Sequence, residues 1–278
     1  MANPHLSKLR VTFAGLLFYW LLPIRRQIVL NNIDIVFKNT ATPGEKTRLA
    51  KAFYSHVAST LKEMFLMNWL NSKKLKEQVE IQGLEYLQRA IKQRKGALLL
   101  TGHLGSWELI SVLGFSRLIP QFGQVNIIRR PIRMKWLETW LFKRIEHYGL
   151  AIIDSIGAPK KINQAIKNKE LVLFAMDQHA QLENKSGIAV EFFGVKAGTY
   201  RSLAFFARKY QTPVVPVSGY RQNNGKHVIK FYPEIEWEYH AVKEQAIYQN
   251  TLRYNQTLEK LILEHPEQWW WVHRRWKL

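Results

Sequence analysis

No cysteine occurs among the 278 residues. That absence excludes disulfides, thiolate zinc sites and cysteine nucleophiles together, and it fits a reducing compartment. Acids are scarce: 21 Asp and Glu face 41 Lys and Arg, a formal net charge of +20. There is no Walker-type phosphate loop and no Rossmann glycine fingerprint, which argues against nucleotide cofactors. No helical His-Glu-x-x-His and no histidine-rich cluster occurs, and His179 and His273 lack the partners of a metal site, so no metal is expected. Internal repeats and low-complexity linkers are missing too. Long apolar runs are also lacking. The longest uncharged one, 11–24 (VTFAGLLFYWLLPI), would extend about 21 Å as a helix, short of the roughly 30 Å hydrocarbon core.

Among what is present, charge dominates. A surface this basic expects a polyanion: nucleic acid, an anionic membrane or an acidic protein. No nucleic-acid-binding module is recognisable, so charge alone supports such a partner and none is expected. Ten tryptophans tilt the reading toward anionic membrane lipids, because indole rings prefer the headgroup level. Each basic residue near an anionic leaflet contributes about 1 kcal/mol. Lys8 and Arg10 precede the apolar stretch, and Pro23 with Arg25 and Arg26 closes it, but no small-x-small cleavage site follows. Residues 1–40 therefore read as an uncleaved anchor, interfacial or marginally spanning, with a connecting segment. The alternative is an apolar core helix.

The remainder, 41–278, reads as one domain. Thr42-Pro43-Gly44-Glu45 is a capping box with proline at the first helical position. Leu49, Phe53, Val57, Leu61 and Phe65 follow at intervals of four, an apolar stripe of helical type. Beyond residue 78, short apolar strands are predicted at 79–81, 97–101, 125–128, 151–154, 171–176, 214–218 and 227–231. Helices are predicted near 84–94, 107–118, 134–148, 200–210 and 241–263. Strand–helix alternation implies an α/β fold with a mostly parallel central sheet flanked by helices.

The segment LLLTGHLGSWEL (98–109) carries the sharpest chemical pattern. A buried strand enters a turn with two glycines, and a helix follows. His103 then sits at the carboxyl end of a strand, where open α/β sheets place ligands. Glu108 falls in the first turn of the helix, able to fold back toward the imidazole. A neutral imidazole can take a hydroxyl proton, while a carboxylate on its other nitrogen fixes the tautomer. Ser106 lacks the Gly-x-Ser-x-Gly context of a nucleophile elbow, so the nucleophile would be a substrate hydroxyl. Histidine, four residues, acid is a weak signal by spacing alone. An ordinary histidine beside a helix-capping acid is the competing reading. Arg129, Arg130 and Arg133 cluster after a strand and suit either a phosphorylated ligand or a solvated basic rim. The C-terminal tryptophans read as packed rings and Arg274 and Arg275 as partly exposed.

Four ordered blocks sharpen this. GHLGSWEL resembles the histidine–acid block of the bacterial lipid A biosynthesis acyltransferases, a branch of the lysophospholipid acyltransferase superfamily. Arg130-Pro131 with Arg144 and Gly149 resembles the second block, and Asp177-Gln178 followed by Phe192-Phe193-Gly194 the third. The ending PEQWWWVHRRW (266–276) is similar to the C-terminal signature. The resemblance implies an enzyme on the cytoplasmic face of a bacterial inner membrane. It would move acyl chains from acyl carrier protein, or sometimes coenzyme A, to a hydroxyl of a lipid A precursor, with no further cofactor. His103 and Glu108 match the catalytic pair. Arg130, Arg144, Asp177 and Gln178 match substrate-binding or architectural positions. Relatives with lysophospholipid or other glycolipid acceptors share most of the pattern.

Overall fold

The computed structural model describes residues 3–22, 24–66, 78–129, 148–183 and 186–277. Four helices come first: α1 (Pro4–Ser7), α2 (Phe13–Leu21), α3 (Arg26–Phe37) and α4 (Pro43–Leu66). Then follow β1 (Val79–Gln82), α5 (Leu84–Lys92), β2 (Ala97–Thr101) and α6 (Trp107–Ile110), which runs on as a wider π turn through Phe115. The one-turn helix α7 (Ile119–Phe122) leads to β3 (Val125–Arg129), β4 (Ala151–Asp154), α8 (Ala158–Lys167) and β5 (Leu171–Ala175). A hairpin, β6 (Gly187–Phe192) and β7 (Val195–Tyr200), precedes α9 (Ser202–Tyr210), β8 (Val214–Arg221), β9 (His227–Phe231) and α10 (Lys243–Glu264).

Among the described residues seven strands form the main sheet, in the order β1-β9-β8-β2-β5-β3-β4. All neighbours are parallel except the β8–β9 hairpin. β2 is central, and all five of its residues are buried. Its alternating side chains feed two cores. Leu98 and Leu100 join Val172, Phe174 and Val214 under α10, whereas Ala97 and Leu99 join Leu173, Val215 and Leu87 of α5. A strand buried on both faces reads as an unbroken apolar run, as ALLLT does. The fold class expected from strand–helix alternation is thus present. The β6–β7 hairpin was not anticipated. It turns at Phe193-Gly194, both at positive φ (53° and 71°), as a two-residue hairpin loop requires.

The N-terminal helices share a core with the sheet. Leu6, Tyr19, Val29, Ile33 and Phe37 belong to the same buried cluster as Leu98 and Val172. Gly15 lets α2 cross α4 closely, since a Cβ there would lie 1.9 Å from Ser55 Oγ. The apolar stretch 11–24 becomes a helix of only nine residues, capped by Thr12 through its bond from Gly15 N–H (3.1 Å). Among the described residues no single helix is long and apolar enough to cross a membrane; α2 and α3 pass by length and composition only as a sharply bent pair. On α2 the outer face stays apolar and open: Phe13, Trp20 and Leu21 are exposed.

Helix α4 starts as its capping box dictates. Glu45 Oε2 accepts from Thr42 N–H (2.8 Å), and Thr42 Oγ1 accepts from Glu45 N–H (3.3 Å). Leu49, Phe53 and Val57 of the apolar stripe are buried, but Leu61 and Phe65 are exposed. The helix outruns the core. Past α10, the segment 266–276 crosses the carboxyl edge of the sheet as a strap. Trp269 and Trp271 are buried in it, and Asn32 of α3 holds it by donating to the carbonyls of Trp271 (2.7 Å) and His273 (2.8 Å). Arg275, expected at least partly exposed, is fully buried: it donates to Thr199 Oγ1 (2.7 Å) and the Gly198 carbonyl, and lies over the Phe192 ring.

Candidate active site

β2 and β5 are parallel neighbours with Thr101 opposite Ala175. His103 and Asp177 each follow two residues beyond those positions, so both emerge at the same height on the carboxyl edge of the sheet. There the buried Asp177 carboxylate accepts from the ring Nδ1 of His103 at 2.8 Å. Its other oxygen accepts from the backbone N–H of His103 (2.8 Å) and from Trp269 Nε1 (3.0 Å). A carboxylate can only accept, so Nδ1 carries the proton and Nε2 the lone pair. The Gln178 side-chain amide lies 3.3 Å from that Nε2 and donates to it. Sequence reasoning placed Glu108 as the carboxylate on the ring. In the structure that position is held by Asp177, and Glu108 makes no hydrogen bond to the imidazole among the described residues.

The charges around the ring are coupled. Burial works against a proton on His103, but the Asp177 carboxylate, the hydrogen bond to it and the more distant Glu108 outweigh that and raise the imidazole above its ordinary value. Burial alone would raise Asp177; the neighbouring His103 overrides it and holds the carboxyl well below the usual range. Glu108, partly buried with little to compensate, is pushed up to about 7, with His103 pulling the other way. Trp107 and His273 meet the His103 ring edge to face, with centroids 5.3 and 5.0 Å away. Burial lowers His273 to about 4, which keeps it neutral at pH 7.

His273 therefore does not lack partners, contrary to the reading from sequence. The fold brings it back 170 residues, and donor atoms of His103, Asp177 and His273 lie within 4.8 Å of one another. Two imidazoles and a carboxylate are a donor set that suits zinc. The 2.8 Å Nδ1–Oδ1 hydrogen bond already engages two of the three donors.

The loop after β2 is pinned residue by residue. The His103 carbonyl accepts from Trp270 N–H (3.0 Å), Gly105 N–H donates to the Gln268 carbonyl (2.9 Å), and Leu104 pairs with Trp269 as an isolated bridge. Gly105 has φ 61°, and a Cβ there would lie 2.6 Å from the Gly219 carbonyl oxygen, so only glycine fits without strain. Ser106 is buried with its hydroxyl turned onto Glu63 (2.7 Å), away from His103. Arg130, Arg133 and Arg144 lie outside the described residues. Arg129, at the end of β3, lies 3.7 Å from Asp154. The strap residues Gln268, Trp269 and His273 escaped sequence reasoning as site components. Their only signal was the density of the PEQWWWVHRRW block.

Among the described residues no serine, threonine or cysteine stands before His103 Nε2. A base with no protein nucleophile beside it suits an α/β group-transfer enzyme that activates a hydroxyl brought by its substrate. The family model described as bacterial lipid A biosynthesis acyltransferase matches residues 3–278, and the chain belongs to that family; it is an acyltransferase. The chain is 27% identical over 256 residues to the lipid A biosynthesis lauroyltransferase of Escherichia coli (strain K12), covering 91% of this chain and 79% of that protein. It is 26% identical over 261 residues to the palmitoleoyltransferase of the same pathway and organism, with the same two coverages. A phosphatidylinositol mannoside acyltransferase of Mycolicibacterium smegmatis is 22% identical over 216 residues, 76% of this chain and 67% of that protein.

Proposed function

We propose that this acyltransferase moves a fatty acyl chain from an acyl carrier protein thioester to a hydroxyl of a lipid A precursor or related glycolipid, with His103 as general base. The observation that carries the reading is the orientation of His103: Nδ1–H on the buried Asp177, Nε2 free to take a proton once Gln178 moves aside. The acceptor hydroxyl gives its proton to Nε2 while its oxygen attacks the thioester carbonyl. The tetrahedral intermediate collapses, the C–S bond breaks, and the imidazolium returns the proton to the leaving thiolate. Asp177 stabilises the imidazolium directly. Glu108 adds negative charge close by and is the second carboxylate of the mechanism. Arg130 and Arg144 would bind phosphate or the developing oxyanion.

The protein would work at the cytoplasmic face of a bacterial inner membrane. Exposed Phe13, Trp20 and Leu21 on α2 and Leu61 and Phe65 on α4 offer apolar contacts to lipid, and the net charge of +20 suits both anionic headgroups and an acidic carrier protein. An alternative acceptor, a lysophospholipid or another glycolipid, is favoured by the mannoside acyltransferase relative. The test is to incubate the purified protein with acyl carrier protein thioesters and each acceptor in parallel. Acylation of the lipid A precursor is expected. Acylation of lysophosphatidic acid with the lipid A precursor left untouched would overturn the proposal.

A further inference from the structure

A second polar cluster lies beside the loop after β2 and makes no hydrogen bond to the His103 ring among the described residues. Arg221, the last residue of β8, places its guanidinium on Glu63 of α4 in a two-pronged pair: Nε to Oε1 and Nη2 to Oε2, both 2.6 Å. The same Nη2 reaches Ser106 Oγ (2.7 Å) and Thr60 Oγ1 (3.1 Å), and Nη1 meets His56 Nδ1 (3.0 Å). Ser106 Oγ donates in turn to Glu63 Oε2 (2.7 Å). Ser106, Thr60 and His56 are all buried. The backbone of Arg221 is bound as well: its N–H donates to Gln268 Oε1 (2.7 Å), and its carbonyl accepts from Gln268 Nε2 (2.9 Å).

Both attachments end on the loop that carries His103. The guanidinium holds Ser106, the residue at the N-cap position of the helix bearing Glu108, whose hydroxyl is turned to this cluster and not to the helix amides. The clasp on Gln268 holds the residue whose carbonyl accepts Gly105 N–H. Stability is a poor explanation for such an arrangement. The pair is partly buried, with side-chain exposures of 13% and 23%, and desolvating its charges offsets much of their attraction, so such a pair is weak support for stability. Directional, multi-point bonding does fix geometry, and a guanidinium with a fixed fork of donors is suited to that.

We infer that Arg221, with Glu63, is a positioning residue for acyl transfer: it sets the Gly105–Glu108 segment, and through it the placement of His103 and Glu108 toward the reacting hydroxyl. The inference rests on His103 being the base. A misplacement of about 1 Å at a reacting group costs on the order of 10²-fold in rate.

The test uses the full chain with acyl carrier protein thioester and lipid acceptor. The double variant E63M/R221M removes both charges and keeps the volume, and its thermal unfolding is expected within a few degrees of the parent. Its kcat is expected to fall roughly 10–100-fold, by the same cost of misplacement, with KM for the acceptor changed less than about threefold. S106A leaves the Arg–Glu pair intact, cuts its link to the loop, and is expected to show the same split. R221K keeps the charge without the fork and should fail to restore kcat. A double variant that folds and turns over at the parent kcat overturns the inference, as does S106A at full rate. H103A run in parallel separates the two readings: if H103A is active the base assignment fails, whereas an inactive H103A beside a fully active E63M/R221M sinks only the positioning role.

Discussion

Asp177 grips His103 twice, with one carboxylate oxygen on the ring Nδ1 and the other on the backbone N–H, each at 2.8 Å. Trp269 Nε1 adds a third bond to the same carboxylate. The ring is thus fixed in tautomer, orientation and charge by a group with no exposure of its own. The proposed general-base role of His103 requires the neutral ring, so under that proposal the rate should rise with pH through a pKa above the ordinary imidazole value of about 6.5.

Replacing that carboxylate by its amide removes the force that raises His103 and leaves burial to lower it. D177N should therefore move the acid limb of the kcat/KM profile to lower pH. An asparagine can also donate to Nδ1 and select the wrong tautomer, so kcat should fall roughly 10²–10⁴-fold. A pH–rate profile from pH 5 to 9 measures both. An acid limb that stays in place with kcat intact would show that Asp177 is not the partner of the base.

In the proposed mechanism Glu108 acts at longer range, through its Coulombic effect on His103. E108Q leaves the Nδ1–Asp177 bond untouched, so the ring should hold its position and tautomer, readable in the imidazole nitrogen chemical shifts. Removal of the negative charge should still lower kcat by 10-fold or more, and shift the acid limb downward by less than D177N does. Because burial pushes Glu108 up to about 7, the parent profile should also show a second ionisation near neutrality that E108Q abolishes. Loss of ring orientation in E108Q would contradict this division of labour.

How far the sequence anticipated these relations depends on the range of the interaction. ALLLT and HVIKF became β2 and β9 at the predicted residues, because strands buried on both faces announce themselves by composition. The hairpin β6–β7 was missed although β6 alternates Ile188, Val190 and Phe192; its partner VKAGTY, with Lys196 and Gly198, carries no such pattern, and only Phe193-Gly194 marks the turn. His103 was legible through the strand, the flanking glycines and the helix after it. Asp177 was legible as a site residue but not as the partner of the ring. That pairing depends on β2 and β5 being adjacent and in register, which no local pattern encodes. Arg221 and Glu63 belong to the same class, joined across 158 residues.

Gly105 offers a test of the loop itself. In G105A the new methyl would meet the Gly219 carbonyl oxygen at 2.6 Å while the backbone stayed at φ 61°. Left-handed backbone on a non-glycine residue costs about 1 kcal/mol or more, and the contact adds to it. A loss of about 1–3 kcal/mol in urea unfolding is expected on that basis. Activity per folded molecule should also fall, since relief of the contact has to shift the segment between His103 and Glu108. Unchanged stability would mean that the loop does not lie against β8 as described.

Buried His56 sets a pH dependence on folding that is separate from catalysis. Burial, then the nearby Arg221 charge, lowers it to about 3, so it is neutral when folded. Unfolded, it takes a proton near pH 6.5. Between those values the unfolded chain binds more protons than the native one, so stability rises with pH there and falls as pH drops below about 6.5. At pH 5 the contribution lost is about 2 kcal/mol, from 1.36 kcal/mol per unit over about 1.5 units. Glu63, lowered to about 2 by its His227 and Arg221 partners against burial, loses its own contribution only as pH falls from about 4.3 toward 2. It cannot account for a loss at pH 5. Urea unfolding at pH 7 and pH 5 should show the His56 loss in the parent. H56Q, which keeps an acceptor for Arg221 but cannot be protonated, should show a difference smaller by about that 2 kcal/mol. Equal pH dependence in the two proteins would mean that His56 is protonated in the native state.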